Sequence, residues 1–84
     1  MELKPIYSTQ KSFSKKANVI TEGGETKLKS YDTIVAVKKE NKIFVRGWYS
    51  KTTAFHINEF LQQNGAKKLN KAQMLEAPTI EISA

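Results

Sequence analysis

Between Tyr31 and Gly65 the chain carries two strand-like runs and then a helix-like run, each sorting its residues onto unlike faces. No other feature constrains the fold as tightly. Thr26–Lys39 reads as one long strand with a bend near Ser30, and Lys42–Tyr49 as another, rich in β-branched and aromatic residues. Lys39-Glu40-Asn41-Lys42 makes the turn between them, with Asn41 tolerant of the left-handed region. If Glu40-Asn41 is a two-residue loop, Val37 lies opposite Phe44, Val35 opposite Arg46 and Thr33 opposite Trp48. One face then holds Ile34, Ala36, Ile43 and Val45. The other holds Tyr31, Val35, Val37, Phe44, Arg46 and Trp48.

The first face extends upstream. Lys11–Thr21 alternates Phe13, Ala17 and Val19 with polar neighbours, and Gly23-Gly24 supplies the positive φ angles of a tight hairpin. That loop sets Val19 opposite Leu28, so Ala17, Val19 and Leu28 join the aliphatic face. Ser50–Asn64 reads as a helix. Ser50 is the favoured N-cap, Ala54, Ile57, Phe60 and Leu61 form one stripe, and Asn64-Gly65 is the stop. Asn70 caps a short second helix through Glu76, closed by Pro78. A helix stripe and an aliphatic sheet face bury each other. The expected fold is therefore α+β: an antiparallel β-meander of three or more strands with one main α-helix packed on one face. Residues 1–84 read as a single small domain. Residues 1–10 form an arm or edge strand broken by Pro5, and 77–84 a tail that pairs at an edge or stays loose.

Eighty-four residues support one core, burying roughly 60–68% of the unfolded surface. No apolar run approaches the ~20 residues of a membrane span, and Met1–Pro5 has no signal-peptide core. The absence of cysteine excludes a disulfide staple and fits a reducing cytoplasm. A net charge of +6 favours acidic partners, or simply keeps a small protein soluble. Thirteen lysines against the lone Arg46 favour contact with a phosphate backbone over the bidentate reading of bases.

No catalytic motif is present. His56, the sole histidine, lacks the company of Cys or His ligands that a metal site needs, and reads as a boundary residue bonded to a nearby carbonyl. No metal, cofactor or small-molecule substrate is implied, and the expected function is non-enzymatic. Asp32 falls on the helix side opposite Tyr49, placed to accept from the first helical amides or from Thr52 and Thr53. Phe55 lies off the apolar stripe, as a lone exposed residue, as one covered by the Leu3–Tyr7 arm, or as a partner contact.

The second sheet face carries the sharpest expectation. Tyr31, Phe44 and Trp48 share it with Lys16, Lys27, Lys29 and Arg46, and aromatics among cations are the arrangement of single-strand nucleic-acid binders. Three occupants compete for it: nucleic acid, a second copy or other protein partner, and the chain's own C-terminal segment with Met74, Leu75, Ile80 and Ile82.

The segments Ser30–Ala36, Trp48–Thr53 and His56–Gly65 together resemble a group of small uncharacterised proteins from bacteriophages, plasmids and integrative elements of Gram-positive bacteria. The similarity spans about residues 25 to 65, and its helical part is the most specific. It implies a mobile-element origin and a cytoplasmic setting, and carries no functional residue over to this chain. At Phe55 a basic residue is more usual in that group, which points to an exposed site there.

Overall fold

The computed structural model describes Leu3 and residues 16–82. Five strands, β1 (Ala17–Glu22), β2 (Glu25–Ser30), β3 (Thr33–Lys39), β4 (Lys42–Val45) and β5 (Thr79–Glu81), form one antiparallel sheet in sequential order. Two helices, α1 (Lys51–Gln63) and α2 (Lys71–Leu75), lie between β4 and β5. The expected α+β meander with a helix on one face is the observed fold. Lys11–Lys15 of the expected first strand, and Phe13 within it, lie outside the described residues. So do residues 4–10 of the expected arm. Leu3 is buried, and its N–H donates to the Ala17 carbonyl at 2.8 Å.

Two of the hairpins follow the expected loops. Gly23-Gly24 closes β1 on β2 with both φ angles positive, and Val19 faces Leu28. Glu40-Asn41 closes β3 on β4, and Val37 faces Phe44. The left-handed residue of this second loop is Glu40 (φ 57) rather than Asn41.

The expected long strand Thr26–Lys39 is instead a third hairpin. Ser30 pairs with Thr33, leaving Tyr31-Asp32 as its loop, with Tyr31 at φ 56. The register then shifts: Lys29 faces Ile34 but Leu28 faces Ala36, so Val35 is an extra residue on β3. A bulge of this kind lets two successive side chains point the same way. Val35 and Ala36 are both fully buried, while Ile34 pairs across to Lys29 and is half-buried. Ile34 and Val35 thus exchange the faces expected of them. The Arg46 N–H still donates to the Val35 carbonyl at 3.0 Å, which keeps those two residues opposite.

The core gathers Ala17, Leu28, Val35, Ala36, Ile43 and Val45 from the sheet with Ile57, Phe60 and Leu61 of α1, Met74 of α2 and Leu3. Helix α1 begins at Ser50, whose Oγ accepts the Thr53 N–H at 3.2 Å. It ends at Asn64, with Gly65 in the left-handed region at φ 86. Helix α2 starts in a capping box: Asn70 Oδ1 accepts the Gln73 N–H, and Gln73 Oε1 accepts the Asn70 N–H. The C-terminal segment adds to the core side. Met74 is fully buried, and Ile80 and Ile82 pack against the core cluster. Leu75 is exposed. Among the described residues, this segment therefore covers the core edge rather than the far face of the sheet.

Candidate functional site

The residues expected to share one surface divide among three places. On the open face, the antiparallel register lines up Ile20, Lys27, Val37, Phe44 and Thr79 in one row across all five strands. A second row holds Asn18, Lys29 and Ile34. A third runs Glu22, Glu25, Lys39, Lys42 and Glu81, alternating in charge sign by pairs. Phe44 is 39% exposed, a high value for an aromatic on a sheet. Lys42 and Arg46 flank it along the chain, both exposed. Lys27 lies 4.0 Å from Glu25, a half-buried pair at the outer limit of ion-pair distance that contributes little. Ile20, absent from the expected set, belongs to this face.

Tyr31 and Lys16 sit at one end. The Tyr31 N–H donates to the Lys16 carbonyl at 2.7 Å, which fixes the β2–β3 loop against the start of β1. The Tyr31 ring leans toward α1, its centroid 6.0 Å from that of His56. Tyr31 is 49% exposed but borders the helix rather than Phe44.

Trp48 is the clearest correction. Strand β4 stops at Val45, and Gly47 takes φ 139, a value reserved for glycine. The alternation breaks there, and Trp48 turns to the core side. It is half-buried against the core cluster, with the Lys71 ammonium 4.4 Å from the ring centroid. Trp48 does not face Thr33, and its upper surface is already occupied by a cation. Phe55 is likewise half-buried against the core cluster rather than exposed.

A buried polar cluster lies where α1 meets the sheet. Ser30 Oγ is 2.9 Å from Thr53 Oγ1 and 2.8 Å from His56 Nδ1, and Ser30 and His56 are 2% and 0% exposed. His56 is thus a core residue bonded to a hydroxyl, rather than a residue at the boundary of the apolar stripe. A serine beside an imidazole has the composition of a nucleophile and its base. Here both side chains are buried, and their bonds tie β2 to α1. Asp32, expected in this position, is exposed in the β2–β3 loop, and Ser50 performs the capping. Glu59, one helical turn from His56, is also buried, and Gln63 Nε2 donates to its Oε2. Neither Ser30 nor Glu59 carries a sequence signal. A serine inside an expected strand and a glutamate inside an expected helix carry no mark of burial.

Among the described residues, no helix is long and apolar enough to cross a membrane, and no three His, Cys, Asp or Glu side chains come together. The class defined is a small sheet-and-helix domain, closed on its helical side and presenting a lysine-bordered apolar sheet face on the other. The chain belongs to a family of unknown function (DUF8033), whose model matches residues 1–76. No curated protein and no solved structure matches it.

Proposed function

We propose that this chain is a non-catalytic binding domain whose open sheet face takes single-stranded nucleic acid. The position of Phe44 carries the reading. It is an exposed ring on the sheet face, bracketed by Lys42 and Arg46 and sharing that face with Lys27 and Lys29. A base stacks on such a ring whatever its identity, and the cations follow the phosphates. With lysine supplying thirteen of fourteen cations, binding tolerates many sequences. The enclosure of Ser30 and His56 supports a role without chemistry. The resemblance of Ser30–Ala36, Trp48–Thr53 and His56–Gly65 supports a mobile-element setting in a Gram-positive bacterium, in the cytoplasm.

A second reading rests on the apolar residues of the same face. Ile20, Ile34, Val37 and Phe44 would suit a protein partner or a second copy of the chain. Salt separates the two. A titration of fluorescein-labelled oligothymidylate, followed by anisotropy, should weaken by roughly 0.7 log units per log unit of salt for each phosphate contact. Four contacts, through Lys27, Lys29, Lys42 and Arg46, give a slope near −3. Binding indifferent to salt, or none alongside a dimeric mass, favours the second reading.

A further inference from the structure

We infer that the outer edge of β5 is a docking site for an extended peptide that carries an aliphatic side chain beside an acidic one. This site is separate from the open face. The Val45 N–H donates to the Pro78 carbonyl at 3.0 Å, and the Ile82 N–H donates to the Asn41 carbonyl at 2.7 Å. With Ile80 opposite Ile43, the even-numbered residues of this segment exchange bonds with the β4 hairpin. Thr79 and Glu81 therefore turn their N–H and C=O groups outward. β5 is the last strand of the sheet, and among the described residues no strand pairs with its outer side. Outward main-chain groups of this kind are the template for strand addition.

The edge borders a groove of about 290 Å³, lined by Gly65, Ala66, Lys67, Leu69, Ile80 and Glu81. Ala66, Leu69 and Ile80 pack against the core and form its apolar part. Its far wall is held in place. Asn58 Oδ1 accepts the Leu69 N–H at 2.8 Å, and Asn58 Nδ2 donates to the Leu69 carbonyl at 3.1 Å. An added strand points alternate side chains to the Ile80 side of the sheet, over this groove. Lys67 on the groove's lining and Lys68 next to it in the chain are exposed and form no ion pair among the described residues, so two cations outweigh the Glu81 carboxylate there and favour an acidic neighbour. Edge bonds thus define an extended backbone, the groove an aliphatic side chain, and the lysines its charge.

The test uses the whole chain and a fluorescein-labelled peptide alternating valine and glutamate. Anisotropy should rise to saturation. The Thr79 and Glu81 amides, open to hydrogen exchange in the free protein, should become protected. Glu81→Pro removes an outward donor that β4 does not use, and Ala66→Phe fills the groove while leaving the edge intact. Each should weaken binding about tenfold or more, the equivalent of about 1.4 kcal/mol. Ala66→Phe stands as the test if the proline variant does not fold. Thr79 and Glu81 amides already protected in the free protein, as a second copy on this edge would make them, overturn the inference. So does binding unchanged by both variants, or no binding at millimolar peptide.

Discussion

Ser30 Oγ lies 2.8 Å from His56 Nδ1, and this bond joins the end of β2 to the middle of α1 inside the core. A hydroxyl can donate once and accept twice, so Ser30 satisfies both His56 and Thr53. Ser30→Ala leaves two buried polar groups short of a partner. The expected loss is roughly 1–3 kcal/mol, read from urea denaturation. Asp32→Ala, in the exposed loop one residue past Tyr31, should stay within about 0.5 kcal/mol of the parent. Equal losses from the two substitutions would contradict the assignment of Ser30 as the polar link.

Gly47 sets the direction of Trp48. No atom lies within 4 Å of the place a Cβ would occupy, so the effect of Gly47→Ala comes from φ 139 alone. It should cost roughly 1–3 kcal/mol. Trp48 should also leave the core edge, giving red-shifted emission. A stable variant with unshifted emission would show that Gly47 does not direct the ring.

The Lys71 ammonium over Trp48 should be worth about 0.5–1 kcal/mol. Lys71→Met keeps the stem and removes the charge. It is expected to lower stability by that amount and to make Trp48 easier to quench with iodide or acrylamide. Because Trp48 reports on the core side, its fluorescence should respond little to a ligand on the open face.

Asn58 clamps Leu69 through both main-chain groups. Asn58→Ala should cost roughly 1–3 kcal/mol and raise hydrogen exchange in residues 65–70 ahead of the rest of the chain. Uniform exchange across the chain would argue against a local clamp.

The elements legible in the sequence were those whose ends carry chemical punctuation. Ser50, Asn64 and Gly65 bound α1, Asn70 starts α2, and Gly23-Gly24 sets Val19 against Leu28. The Tyr31-Asp32 loop has no such mark. A tyrosine occupies its left-handed position, and period-two alternation runs through it unbroken. The strand therefore read as continuous, and Asp32 was carried onto the helix side. The bulge at Val35 was hidden for a related reason. It exists to bury Val35 and Ala36 together, and adjacent aliphatics do not reveal which of them is extra. On the candidate surface, Phe44 and Arg46 were placed by a correct register, whereas Lys27 and Lys29 kept their face only because the Tyr31-Asp32 loop and the Val35 bulge each shift the alternation once. Trp48 was misplaced by one glycine, and Tyr31 by the unmarked loop.

The most direct measurement is the footprint of single-stranded oligothymidylate on the backbone amides by NMR at low salt. The account predicts shifts at Lys27, Lys29, Val37, Phe44 and Arg46, with Met74 and Leu61 unmoved, and their loss in Phe44→Ala, whose affinity should fall by about 1–3 kcal/mol. Shifts confined to the helical side, or none at any accessible concentration, would contradict it.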